Sequence, residues 1–209
     1  DTSSLKAGLA NLGKHIENIQ LFGIQPVVAL NHFPDDRPEE EALVRDFCRD
    51  KGVDMAVSRT FAEGGAGARD LAEQVVAAAD RSDGSFQRLY SLEESIEDKI
   101  DTIARRVYGA SGVIFTWEAK KKLRLLEKMG LGTLPVCIAK TPMSLSDNKN
   151  KRNVPTGWRL NINDINLAHG AGYVIPISGD IMLMPGLPEK PQAELINIDP
   201  SGREITGLS

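Results

Sequence analysis

The chain has 209 residues, of which 41% are hydrophobic and 26% charged, and its formal net charge is −4. That composition fits a soluble globular protein of one ordinary domain or two small ones, and excludes a disordered chain. Two cysteines, Cys48 and Cys137, exclude a disulfide framework or a Cys-rich metal site, and free thiols of this kind are expected as small core residues in a reducing cytoplasm.

Apolar runs such as 25–30 and 181–184 are too short to span a bilayer, so no membrane association is expected. Interspersed acids and bases give no basic surface for nucleic acid. No secretory leader is visible, and Asp1 to Ser4 lead straight into a helical stripe. The chain is therefore expected to be the tail of something longer, or a processed or truncated piece.

Leu5, Leu9, Leu12, Ile16 and Ile19 recur on one face of an α-helix that Phe22-Gly23 ends. Residues 26–31 (PVVALN) read as a buried parallel strand. Glu39, Glu40 and Glu41 open a second helix, which runs to Lys51-Gly52. Residues 53–58 (VDMAVS) form the next strand, followed by a Gly-rich turn at 64–67 and a helix through Leu71, Val75 and Ala79. This β-α-β-α order predicts an α/β fold, a parallel sheet flanked by helices.

Residues 82–85 read as a turn or linker, after which the pattern restarts. Ser91 and Glu94 form a capping box for a helix carrying Leu92, Ile96, Ile100, Ile103 and Val107. Residues 112–116 and 135–140 read as strands, separated by a basic amphipathic helix over 118–129. Residues 141–155 make a long polar loop, expected to be functional, mobile or both. Leu160 and Ile162 alternate on one parity and Ile165 and Leu167 on the other, which predicts a β-bulge near Asn163-Asp164. Tyr173–Pro176 and Ile181–Met184 are expected to pair across a turn at Ser178-Gly179-Asp180, with a stiff turn at 184–188. Residues 195–198 and 204–206 read as a second hairpin around Pro200-Ser201-Gly202.

Gly8 to His15 nearly fits a phosphate loop, G-x-x-x-x-G-K-[ST]. It lies inside the helical stripe, however, and His15 replaces the magnesium-holding hydroxyl, so it reads as ordinary helix. The histidines have no metal-ligand spacing, no metal site is assigned, and no nucleophile triad or paired carboxylates assemble, leaving the catalytic residues unassigned. Lys120, Lys121 and Lys122 read as a solvated helix face, and Lys140-Thr141 as a helix cap rather than an anion site.

Two strand ends carry more chemistry. Asn31, Phe33 and Pro34 follow the first strand, at the edge where open α/β sheets bind ligands. Asn31 there either reads a heterocycle's edge beside a stacking Phe33, or belongs to a turn in which Pro34 and Asp35 start the next helix. Phe61 follows the second strand in a polar loop with Gly64, Gly65 and Gly67, which either let a ligand approach closely or form a flexible turn. Together Phe33 and Phe61 suggest a clamp for a flat bicyclic ring.

Six stretches, taken in order, resemble the C-terminal part of formate–tetrahydrofolate ligase (10-formyltetrahydrofolate synthetase). They are residues 11–19 (NLGKHIENI), 28–33 (VALNHF), 64–67 (GGAG), 108–113 (YGASGV), 134–141 (LPVCIAKT) and 184–188 (MPGLP). The resemblance implies an ATP-dependent ligase joining formate to tetrahydrofolate through formyl phosphate. In such an enzyme the phosphate loop and the magnesium-bound ATP phosphates belong to an N-terminal part that this chain lacks. It also implies that Phe33 and Phe61 hold the folate ring, where the family often carries Trp at the second position, with Asn31, Pro34 and the three glycines in the same pocket. Residues 1–84 would complete a P-loop NTPase-like nucleotide- and folate-binding domain, and 85–209 would form a smaller α/β domain with β-hairpins. Full-length members are expected to be cytoplasmic homotetramers acting on small molecules. The alternative is a non-catalytic binding or assembly fragment.

Overall fold

The computed structural model describes residues 1–179, 181 and 189–207. The first half follows the expected alternation: α1 (Thr2–Gln20), β1 (Val27–Asn31), α2 (Pro38–Asp50), β2 (Asp54–Ser58), α3 (Thr60–Glu63) and α4 (Arg69–Arg81). Pro38 starts α2 at a position where its missing N–H costs nothing. Strands β1 and β2 pair in parallel, from Val27 opposite Asp54 to Asn31 opposite Ser58.

Alternation then assigns the two faces of the sheet. Val28 and Leu30, with Met55 and Val57, pack against Leu9 and Ile16 of α1 and Val44 and Cys48 of α2. Ala56 and Ser58 take the other face and are buried, and there Arg81 of α4 pairs with Asp54. A parallel sheet flanked by helices is thus present, as two strands.

The second half comprises α5 (Ile96–Arg106), β3 (Val113–Phe115), α6 (Trp117–Lys128), β4 (Leu160–Ile162), β5 (Asp164–Ala168) and β6 (Tyr173–Ile177), then the short strands β7 (Asn197–Ile198) and β8 (Ile205–Thr206). Its core joins Ile96, Ile100 and Ala104 of α5 to Leu123 and Leu126 of α6, and to Leu160, Ile162 and Val174. Strand β3 pairs in parallel with β4, and β5 pairs antiparallel with β6. Strands β7 and β8 form the expected last hairpin.

Several expectations need correction. Helix α5 starts at Ile96, not near Leu92. Its cap is Ser95, whose hydroxyl accepts from the Asp98 N–H at 3.1 Å, while Ser91 and Glu94 only close the turn before it. Lys99 of α5 is fully buried and donates to the carbonyls of Gly132 at 2.7 Å and Leu134 at 3.2 Å. Burial pulls its pKa below the ordinary lysine value, against the opposing charges of Glu93 and Glu94.

The phase slip at Asn163-Asp164 is not a bulge but a change of partner. The chain leaves β3 at Ile162 and joins β6 at Asp164, and the Asn163 N–H donates to the Ile177 carbonyl at 2.8 Å.

Residues 135–140 run parallel to β6 without forming a continuous strand. Val174 N–H donates to the Pro135 carbonyl and Cys137 N–H to the Val174 carbonyl; further along, Ala139 N–H donates to Pro176 and Ser178 N–H to Ala139. The missing rung is the one Pro176 would donate to Cys137, because proline has no N–H. Cys137 itself is exposed, unlike the buried Cys48, so only one thiol is a core residue.

The partner of β6 is β5, joined through a turn at His169–Ala171, with Gly172 in the left-handed conformation. The expected strand at 181–184, the turn at 178–180 and the stiff turn at 184–188 extend beyond the described residues.

Candidate functional site

The carboxyl ends of β1 and β2 lie side by side. The last paired residues are Asn31 and Ser58, and the ladder continues one step as His32 N–H donates to the Ser58 carbonyl at 2.9 Å. Adjacent strands lie about 4.8 Å apart, and two or three residues span at most roughly 7–11 Å. Phe33, two residues past Asn31, and Phe61, three past Ser58, therefore emerge at the same edge of the sheet.

Both rings are open to solvent: Phe33 is 61% exposed and Phe61 97% exposed. Asn31 and Pro34 are also exposed, as are Gly64 and Gly65, while Gly67 is half-buried.

The two supporting loops are built differently. After β1, Phe33 N–H donates to the Asp36 carboxylate at 2.8 Å and Asp36 N–H returns to the Phe33 carbonyl at 3.0 Å. This closed turn holds Pro34 at its tip, and α2 begins only at Pro38. Pro34 and Asp35 thus belong to the turn and not to the helix start.

After β2 the Gly-rich segment is folded, which corrects the flexible-turn expectation. Residues Thr60–Glu63 form a helical turn carrying Phe61, and Gly64–Ala68 form a 3-10 turn leading into α4. Arg59 N–H donates to the Gly67 carbonyl at 3.0 Å and ties the two ends together. Two glycines are needed for this. Gly64 sits at φ +59° and ψ −141°, which side-chain-bearing residues avoid. At Gly67 an added Cβ would lie 2.6 Å from the Arg59 carbonyl carbon and oxygen.

A cavity of about 360 Å³ opens on the α1/α2 side of the same edge, between Leu30, His32, Arg37, Val44, Val57 and Arg59. Neither phenylalanine lines it. Among the described residues, no group of three or more His, Cys, Asp or Glu side chains is placed to hold a metal ion. Gly8 to His15 lie within α1 and form regular helix, not a phosphate loop. No helix among the described residues is long and apolar enough to cross a membrane.

A family model described as formate–tetrahydrofolate ligase matches residues 1–209. The chain belongs to the formate–tetrahydrofolate ligase family. A formate–tetrahydrofolate ligase of Thermus thermophilus is 48% identical over 208 residues, covering 100% of this chain and 38% of the relative. The ligase of Bacillus licheniformis is 45% identical over 203 residues, 97% of this chain and 36% of the relative. That of a Roseiflexus species is 48% identical over 204 residues, with the same coverage of 97% and 36%. The chain thus spans 36–38% of the length of these ligases.

Within this family member, the stretch at 134–141 does not end in a helix cap. The Lys140 ammonium donates to the carbonyls of Thr141, Ser144 and Ser146 and lies 4.8 Å from the Tyr108 ring centroid. The 141–155 loop folds around it, burying Leu145 and Ser146. Asp147 fastens the loop to β4 by accepting from the Asn161 backbone at 3.0 Å and side chain at 2.7 Å. Nothing in the residue pattern foretold this, since a lysine that binds carbonyls looks the same in sequence as one that binds an anion. On α6, Lys122 is half-exposed and pairs with Asp164 at 2.6 Å, so the basic face is only partly free.

Proposed function

We propose that this chain supplies the folate-ring side of an ATP-dependent formate–tetrahydrofolate ligase and does not catalyse the reaction alone. The observation that carries this reading is the pair of exposed phenyl rings, Phe33 and Phe61, at the ends of two paired parallel strands. An aromatic face left in water at a ligand-binding edge favours offset stacking with a flat bicyclic ring. Asn31 would hydrogen-bond the ring edge. Pro34 stiffens the Phe33 turn, and Gly64, Gly65 and Gly67 let the Phe61 turn close against the ligand.

The reaction under this reading runs in two steps. A formate oxygen attacks the terminal phosphorus of ATP and ADP leaves. The tetrahydrofolate amine then attacks the formyl carbon, loses its proton and expels phosphate. Phosphoryl transfer rests on positioning and charge stabilisation. The ATP phosphates and magnesium would be held by the rest of a longer chain, of the length its relatives have. In that chain, residues 1–84 complete a P-loop NTPase-like domain and 85–209 form a smaller α/β domain. The two separate cores support this division. The whole enzyme would be a cytoplasmic homo-oligomer.

Calorimetric titration of tetrahydrofolate tests the clamp. Phe33→Ala and Phe61→Ala are each expected to weaken binding by about 0.5–1.5 kcal/mol or more. Unchanged affinity in both variants would remove the clamp. Turnover of formate and ATP by the purified 209-residue chain would contradict the assignment of catalysis to a longer protein.

A further inference from the structure

Three of the motif stretches that carry the family resemblance take no part in the folate reading, and the fold brings them together. Residues 11–19 lie on α1, Tyr108 follows α5, and Lys140-Thr141 end the segment beside β6. Between them opens a cleft of about 360 Å³ at the junction of the two halves, with Asn11, His15, Tyr108, Lys140, Thr141 and Ser144 among its lining.

Four observations describe its chemistry. First, no acidic side chain among the described residues lines it. Second, the one ammonium in its wall is fixed in place. All three N–H groups of Lys140 go to loop carbonyls, so the lysine contributes charge but no free donor.

Third, donors remain. The Tyr108 and His15 side chains border the cleft, and among the described residues neither the phenol hydroxyl nor the imidazole ring hydrogen-bonds another group. The Thr141 oxygen accepts from the Met143 N–H at 3.2 Å, which leaves its own proton free. Fourth, the far wall is braced at a backbone cost. Asn153 is the one described non-glycine residue with positive φ, at +63°. It is held there by two bonds to α1: Asn11 Nδ2 to the Asn153 carbonyl at 3.3 Å, and Asn153 Nδ2 to the Ala7 carbonyl at 2.7 Å.

We propose that this cleft binds a small oxyanion, a phosphate or a carboxylate, held by the His15 ring N–H and the Tyr108 and Thr141 hydroxyls in the field of the Lys140 ammonium. Partial burial strengthens that field relative to water. The same burial lowers the Lys140 pKa, against Asp147, and raises that of Tyr108, so the phenol is kept as a proton donor. The site shares no residue with the folate pocket and stands or falls without it.

Isothermal titration of the chain with sodium phosphate at constant ionic strength tests the proposal. One saturable site is expected. Tyr108→Phe and His15→Gln should each weaken it about tenfold, as removal of a donor to a charged ligand does. Lys121→Gln, on the exposed face of α6, should leave it unchanged. A competing arm with sodium formate separates the sources: displacement of phosphate supports a site open to carboxylates, and no displacement supports one specific for phosphate. Absence of saturable binding for both anions would overturn the proposal. So would equal weakening by Lys121→Gln, since binding would then be diffuse attraction to surface charge.

Discussion

Replacing Gly67 with alanine tests the folded Gly-rich turn beneath Phe61. A Cβ there would stand 2.6 Å from two backbone atoms of Arg59 and 3.1 Å from its Cβ. Carbon contacts are comfortable at about 3.5–4.0 Å, so the backbone must open by roughly 1 Å. Overpacking of that kind costs about 1–3 kcal/mol. Gly→Ala returns about 0.4–1 kcal/mol by stiffening the unfolded chain. A net loss of roughly 1–2 kcal/mol follows, and strain on the 3.0 Å bond from Arg59 N–H to the Gly67 carbonyl adds to it.

Two neighbouring glycines separate the possible causes. An added Cβ at Gly65 meets nothing within 4 Å and its φ is not positive, so Gly65→Ala should be neutral or stabilising, by up to about 1 kcal/mol. Gly64 also has open space but sits at φ +59°, so Gly64→Ala should cost about 1–3 kcal/mol through backbone strain alone. Urea unfolding of the three variants reads the series. Tetrahydrofolate titration of Gly67→Ala should show weaker binding as well, because the displaced turn carries Phe61. If Gly67→Ala is as stable as the parent, or Gly65→Ala is equally damaged, the close approach to Arg59 is not what holds this turn.

Two further outcomes are expected. Asn153→Gly keeps the positive φ and loses only the bond to Ala7. Asn153→Ala loses the bond and keeps the strain, so in urea unfolding it should be the less stable of the two by about 1 kcal/mol. Asp199 in the β7–β8 turn accepts from the Ser201 hydroxyl and from the backbone N–H groups of Glu204, Arg203 and Ser201, which lower its pKa from 3.8 to about 2. Its folded pKa is depressed, so its support of the hairpin is present above pH 3.8 and is lost as pH falls toward 2. An NMR carboxyl titration should show this, and Ser201→Ala should move the midpoint back toward the ordinary value.

The elements of the first half were legible because each carried one clear period: four-and-three spacing in α1, and short β-branched runs in β1 and β2. The fold of 60–68 was not, because glycine-rich segments advertise freedom and hide the close approach that requires it. Sequence placed the cap of α5 at Ser91, since Ser-x-x-Glu occurs at Ser91-Glu94 whereas Ser95 is followed by Asp98 at that spacing; tertiary packing of Ile96 chose Ser95. The parity change at Asn163 was visible, but a bulge and a change of sheet leave the same trace in a single strand. In the site, Phe33 and Phe61 stood out as aromatics in polar surroundings. The cleft at Tyr108 and Lys140 did not, because its walls lie about a hundred residues or more apart from Asn11 and His15 in the chain.

Both tryptophans of the chain lie in its second half, in very different surroundings. Trp158 is 5% exposed and its indole N–H donates to the Pro155 carbonyl, whereas Trp117 is 70% exposed beneath the Lys121 ammonium. Intrinsic emission on denaturation will therefore report the loss of the Trp158 environment and stay blind to the sheet that bears Phe33 and Phe61. Circular dichroism in the far ultraviolet sees the helices on both sides. Superposition of the two curves would mean that the halves melt as one cooperative unit, and separation would mean that each core keeps its own midpoint.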